Sequence, residues 1–418
     1  MDASTFQTVF LVFFGLSVAL QLYLSWRQSR AVAAHRPRVP TDFAATVSLE
    51  EHRKAADYTL AKQRLARYDM VFQAALLLLF TLGGGLNVLA AAAQDFSGSP
   101  LTQGVVLIVL FLLVNMVLSL PFTVYRTFKL EAAFGFNRTT AATFIADQVK
   151  GLLLALLIGV PLLYVVLYLM AAMGNNWWLY VWCVWVAFSL AMMWIFPTWI
   201  APLFNRFQPL ADDDLRLKIE NLLQRTGFHS KGVFVMDGSK RSGHGNAYFT
   251  GLGRNKRIVF FDTLLNTLNH DETEAVLAHE LGHFRHRHIV QQMVLNFALG
   301  LGLLWVLGQL LPQPAFYQGL GVVFPSHAMA LLLFFLVLPV FVFVLSPLPS
   351  IISRRNEYQA DRFAAQYAAA DQLISALTKL YRDNAATLVS DGWYSRFYDS
   401  HPDARARISA LKKASGSL

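Results

Sequence analysis

The chain has 418 residues, 55% of them hydrophobic and only 15% charged, with a mean hydropathy of +0.43. That balance excludes an ordinary water-soluble globule and points to a polytopic membrane protein. The formal net charge of +9 does not by itself signal a nucleic-acid partner, because the basic residues are confined to alternate loops, and the single cysteine, Cys183, excludes an intrachain disulfide or a cysteine-rich metal site.

Seven apolar stretches are long enough to cross a bilayer as helices, near residues 6–26, 70–93, 104–125, 151–173, 177–199, 289–311 and 327–349. The first is expected to be retained. No basic segment precedes it, and Ser25-Trp26-Arg27 stands where a cleavage site would need small residues. The connections alternate in charge. Residues 27–69 carry a dense set of Arg and Lys, the third connection carries Arg126, Lys129, Arg138 and Lys150, and residues 201–288 and the tail are again basic. Residues 94–104, 174–176 and 312–326 contain no Lys or Arg. The positive-inside rule then places the N-terminus outside, and the C-terminus and residues 201–288 in the cytoplasm. The basic loops also suit anionic lipid headgroups.

Within the first cytoplasmic loop, Leu49, Ala55, Tyr58, Leu65 and Tyr68 are spaced as on a helix, and Pro37 and Pro40 interrupt what precedes it. The third connection, residues 124–150, interleaves aromatic and charged residues and is expected to pack on the membrane surface or on the soluble region. Its Asn137-Arg138-Thr139 matches a glycosylation acceptor but lies on the wrong side of the membrane.

Residues 213–227 read as a helix stopped by Gly227, and residues 232–236 as a strand. A glycine-rich turn over 237–245 lacks the spacing of a phosphate loop. A second strand is expected over 246–252, a turn over 253–256 and a third strand over 257–261. Such a sheet is either structural or a platform that holds an extended peptide on its edge strand.

Residues 273–288, TEAVLAHELGHFRHRH, are expected to be helical. His279 and His283 are four apart, on one helix face, and offer two imidazoles to one metal ion; Glu280 stands beside them, placed to take a proton from water. The extended pattern with a third histidine fails, because position 286 is His286 and position 289 is Ile289. His286 and His288 read as solvated or headgroup-facing. A downstream carboxylate is the other common solution. Spans six and seven form a hairpin, so Glu357 returns to the side that His283 left, at a similar height. The distances are roughly 9 Å and 12 Å of helix. Asp361, four residues on, would accept the far ring N–H of a metal-bound histidine.

These residues resemble a known family, the type I CAAX endoproteases called CAAX prenyl protease 1. The resemblance is carried by residues 125–140 and 201–210, DGSKRSGHGNAYFTGL at 237–252, RIVFFDTLL at 257–265, HELGH at 279–283, NEYQAD at 356–361 and SHPDARARI at 400–408. It implies a mainly α protein with seven transmembrane helices around a water-filled chamber, plus a cytoplasmic zincin-like metallopeptidase domain with a small β-sheet. On that reading residues 1–200 hold five spans, 201–288 and 350–418 the catalytic region, and 289–349 the last hairpin.

The resemblance also implies one Zn²⁺ per chain on His279, His283 and Glu357, with Glu280 as general base. It implies substrate alignment by Asn246, Ala247 and Tyr248, and places His401 and Arg407 near the scissile carbonyl, His401 as an oxyanion donor. Position 403 is Asp403 where the family more often has proline.

Family members cut after the prenylated cysteine of a C-terminal CAAX sequence and release three residues. A peptide or lipidated protein substrate in contact with membrane lipids is therefore expected, and no nucleic acid. Short loops and Ala-, Leu- and Arg-rich composition favour a bacterial inner membrane over the endoplasmic reticulum. The rival readings are a membrane quality-control protease with the same chemistry, and a non-enzymatic transporter or scaffold with a vestigial motif.

Overall fold

Long apolar runs form helices because only internally hydrogen-bonded backbone is tolerated in lipid. In the computed structural model, which describes residues 1–250 and 257–414, the first half is helical: α1 (Ala3–His35), α2 (Leu49–Phe80), α3 (Gly85–Phe96), α4 (Pro100–Tyr125), α5 (Ala141–Ala172) and α6 (Trp177–Ile195). A soluble region follows, with β1 (Phe207–Pro209), α7 (Asp213–Thr226), β2 (Val233–Met236), β3 (Ala247–Thr250), β4 (Arg257–Phe261), α8 (Asp262–Leu265) and α9 (His270–Arg285). The chain then re-enters the apolar layer through α10 (His288–Leu310), the short α11 (Pro314–Gln318) and α12 (His327–Val342). It ends with α13 (Pro347–Tyr367), α14 (Ala370–Asp383), α15 (Gly392–Tyr398) and α16 (Ala404–Ala414).

Six helices are long and apolar enough to cross a membrane, and the bent pair α2–α3 makes a seventh. The expected unbroken span over 70–93 is therefore corrected: the chain bends by 57° between Phe80 and Gly85. Gly83, Gly84 and Gly85 explain the break. Gly84 adopts φ +77°, and a Cβ on Gly83 would lie 2.7 Å from the Leu79 carbonyl oxygen. At its other end α2 starts from a capping box formed by Ser48 and Glu51, so the loop helix and the beginning of the second span are one element.

The sheet has the order β1-β2-β4-β3, with β2 parallel to β4 and the outer pairs antiparallel. β1 was not expected, and β3 occupies an edge. The last two residues of the expected second strand, 251–252, and the turn at 253–256 lie outside the described residues. The connection between α4 and α5 packs on the soluble region. Asn137 bridges Ser242, and the Gly243 N–H donates to the Phe136 carbonyl at 2.9 Å.

Two large cores result, with two smaller clusters beside them. One lies among the spans, around Phe10, Leu86, Phe316 and Leu333. The other joins α7, the sheet, α9, α13 and α14 through Ile219, Phe260, Leu277, Leu281, Phe363 and Leu373. The second core fixes the site.

Candidate metal centre

Helix α9 begins at a strong stop-start signal. The Asn269 side chain accepts from the Glu272 N–H at 2.8 Å, and Glu272 accepts from the Asn269 N–H at 2.9 Å. Glu272 is buried and also takes Ser375 and Lys379 of α14, each at 2.7 Å. Its N-terminus fixed, α9 buries Ala275, Leu277, Ala278 and Leu281 in the core. The face left over carries His279, Glu280 and His283.

Helix α13 lies along that face. The approach depends on Gly282, where a Cβ would sit 2.8 Å from the Ala360 Cα and 3.1 Å from its carbonyl oxygen. With nothing there, Glu357 and Asp361, on the same side of α13 as Ala360, reach the two histidines. The Nε2 atoms of His279 and His283 are 3.2 Å apart. Glu357 Oε2 is 3.5 Å from the first, and Glu357 Oε1 is 3.4 Å from the second. One donor atom from each of these residues falls within 4.8 Å of the others.

The donor set fits a metal ion. Two imidazole nitrogens and a carboxylate converge in a largely buried spot, a set of three donors that leaves a coordination position open. A buried carboxylate is costly unless cationic partners meet it. Burial by itself would raise the Glu357 pKa, but His279, His283 and His401 outweigh it and hold the carboxyl far below its usual range.

Behind these three residues lies a second layer. Asp361 Oδ1 stands 2.8 Å from His279 Nδ1, which fixes the tautomer that leaves Nε2 free. Arg407 of α16, buried like Asp361, grips that carboxylate with Nε and an Nη, both at 2.8 Å. Burial opposes ionisation of Asp361, and His279 and Arg407 overcome it, so its pKa is lowered. His401, in the turn before α16, puts Nδ1 2.8 Å from Glu357 Oε2, and its ring is largely exposed. Glu280 is half-buried and makes no hydrogen bond or ion pair among the described residues.

The structure thus gathers His279, Glu280, His283, Glu357, Asp361, His401 and Arg407. Asn246, Ala247 and Tyr248 stand apart on the edge strand and its entry. That strand packs on α9 through Phe249 and Phe284, whose rings are 4.9 Å apart. Asn246 is exposed, and its side chain accepts from the Ala247 N–H at 2.8 Å.

The reading of residues 273–288 as one helix is corrected. α9 ends at Arg285, and Arg287 takes φ +57° before α10 starts. That kink turns His288 inward. It is buried, not solvated or headgroup-facing as expected, and its Nδ1 lies 3.0 Å from His283 Nδ1, while its Nε2 donates to Gln359 Oε1 at 2.8 Å. His288 is therefore the acceptor that holds the His283 N–H, as Asp361 does for His279. His286 is exposed, as expected.

A buried His-His-Glu set with a free glutamate beside it, at the foot of a membrane hairpin, defines a membrane-embedded metallopeptidase. Comparison with known proteins narrows the class. Residues 28–206 match the family model described as CAAX prenyl protease N-terminal, five membrane helices, and residues 209–415 match peptidase family M48. A CAAX prenyl protease 1 homolog of Oryza sativa subsp. japonica is 34% identical, over 97% of this chain and 96% of its own. The CAAX prenyl protease 1 of Saccharomyces cerevisiae is 31% identical over 96% and 94% of the two chains. The crystal structure of S. mikatae Ste24p superposes with a TM-score of 0.91 at 31% identity, covering 98% of this chain and 100% of that one. The chain belongs to the CAAX prenyl protease 1 family, within the M48 peptidases. It is a multi-pass membrane metalloendopeptidase.

Proposed function

We propose that this chain is a zinc endopeptidase that cuts near the C-terminus of prenylated CAAX-type or other membrane-associated proteins. Zinc would be held, one ion per chain, by His279, His283 and Glu357. The observation that carries the proposal is the convergence of those three donors within 4.8 Å beside the unpaired Glu280. When bound, zinc supplies the Lewis acidity that lowers the pKa of water and polarises a peptide carbonyl.

The protein's own residues do the rest. Glu280 takes the proton from the attacking water and returns it to the leaving amine. Asp361 and His288 hold the two imidazoles in their working tautomers. Arg407 neutralises Asp361 and so acts as a positioning residue. His401, open on one side, donates to the oxygen that gains charge as the carbonyl becomes tetrahedral. The edge strand β3, with Asn246 at its entry, offers unpaired backbone groups to an extended substrate. On this reading residues 201–288 and 350–418 form one catalytic unit around the hairpin of residues 289–349.

The loop charges support a cytoplasmic site, with the N-terminus outside. Short loops and composition support a bacterial inner membrane, although the relatives named above are eukaryotic. Fractionation of the source cells decides between that membrane and the endoplasmic reticulum.

The test is cleavage of a farnesylated CAAX peptide by purified protein. Glu280→Gln is expected to lower kcat by about 10²–10⁴-fold with stoichiometric zinc retained, and a chelator to abolish cleavage. Bound zinc without cleavage of this peptide would redirect the search to unfolded membrane proteins. No cleavage and no zinc would overturn the reading.

A further inference from the structure

A cavity of about 800 Å³ opens beside the metal centre. His401, Pro402 and Arg407 line it at one end. Lys62 of α2 and Arg126, the residue after α4, line it elsewhere. Both cations are accessible to the cavity, and neither has a carboxylate within ion-pair distance among the described residues. Both are exposed to solvent there, and the protein packed around Lys62 lowers its pKa.

The neighbouring acid makes its hydrogen bonds elsewhere. Glu131 accepts from the Tyr58 hydroxyl at 2.6 Å and lies 3.4 Å from His244 Nε2. Lys62 Nζ sits instead over the Tyr58 ring, 4.0 Å from its centre. The cavity thus offers an anion two positive groups whose charge is not satisfied from within.

Helix α14 gives the separation. Tyr381 lines the cavity together with Arg407. Asn384, about 4.5 Å further along the axis, lies 3.2 Å from His244 Nδ1, and His244 reaches Glu131 beside Lys62. One helical turn and two or three contacts therefore separate the metal centre from the two cations. An extended peptide covers about 3.3–3.6 Å per residue, so three residues span about 10 Å, which is of the same order.

We propose that Lys62 and Arg126 bind the free α-carboxylate of the substrate's C-terminus, so that the cavity counts the residues beyond the scissile bond. This rests on the peptidase reading above. The Arg126 guanidinium presents a planar fork to both carboxylate oxygens, and Lys62 adds a point charge. Recognition of the terminus would explain how an endopeptidase confines itself to the last few residues of a chain.

The experiment compares one farnesylated peptide with a C-terminal acid and its C-terminal amide twin, using full-length protein in detergent. The wild type is expected to favour the acid by at least tenfold in kcat/KM. Lys62→Gln and Arg126→Gln should each erode that preference by slowing the acid alone, and the double variant should bring it near unity. Lys62→Arg should restore most of it. The amide rate serves as the folding control in every variant. Equal cleavage of acid and amide by the wild type overturns the proposal and leaves the peptidase standing. So does a preference that survives the double variant. If the wild type cuts neither peptide yet holds stoichiometric zinc, this inference falls and the peptidase reading moves to other membrane substrates; with no zinc bound, both fall.

Discussion

Glycine brings helices together at several points among the described residues, and two of these contacts differ in what opposes them. At the metal centre, Gly282 of α9 faces the Ala360 backbone of α13, with a Cα 2.8 Å from where a Cβ would stand. In the apolar layer, Gly300 and Gly308 of α10 face the indole rings of Trp185 and Trp178 of α6. An indole can rotate or slide to admit a methyl group. A helix backbone can yield only by moving the whole helix, and with it Glu357. Of the two, the less compliant contact lies where ligand distances must hold to about 0.2 Å, and the more compliant one lies in the membrane.

That contrast can be tested by perturbing each side. The largest effect is expected from Asp361→Asn, which removes the carboxylate paired with the buried Arg407 guanidinium at 2.8 Å and leaves it only Glu357 at 3.5 Å. The loss in stability should be about 3–5 kcal/mol, seen as a lower denaturation midpoint, with a 10–100-fold weaker hold on zinc. Gly282→Ala should follow, at about 1–3 kcal/mol. Its zinc content after dialysis against a graded chelator should fall together with its activity. His288→Phe keeps the volume and removes the acceptor for the His283 N–H. About a tenfold drop in zinc affinity is expected, near the lower limit for such outer partners, and Gln359→Leu should move affinity the same way. Gly300→Ala should be the mildest, within about 1 kcal/mol of wild type, with zinc retained. If Gly300→Ala released zinc as readily as Gly282→Ala, the distinction between the two contacts would collapse.

Much of the site is legible before any coordinates are seen, because helical periodicity alone puts His279 with His283 and Glu357 with Asp361. The hairpin between them is equally readable from hydropathy. What is hidden has physical reasons. Gly282 occupies a position that the H-E-x-x-H pattern leaves open, and only the neighbouring helix shows why it must be small. His288 gives no sign of burial, because the turn that swings it inward uses Arg287 at positive φ, where glycine or asparagine would have been the signal. β1 is three residues ending in a proline at a sheet edge, too short to register. The break after Phe80 is different, since three consecutive glycines announce it; averaging hydropathy over a window erases them.

The kink at Arg287 has a mechanical consequence. The chain enters the membrane hairpin there and leaves it through a tight helical turn at Phe343–Leu345 before α13 begins. Each ligand-bearing helix is therefore jointed to its span and not continuous with it. A rigid rod would carry every tilt of the spans straight into the site, and a slip of one residue's rise, about 1.5 Å, would ruin coordination. With a joint on each leg and Gly282 clasped to Ala360 above them, the spans can rock with bilayer thickness or part around a lipid tail while the jaws that hold the metal stay shut.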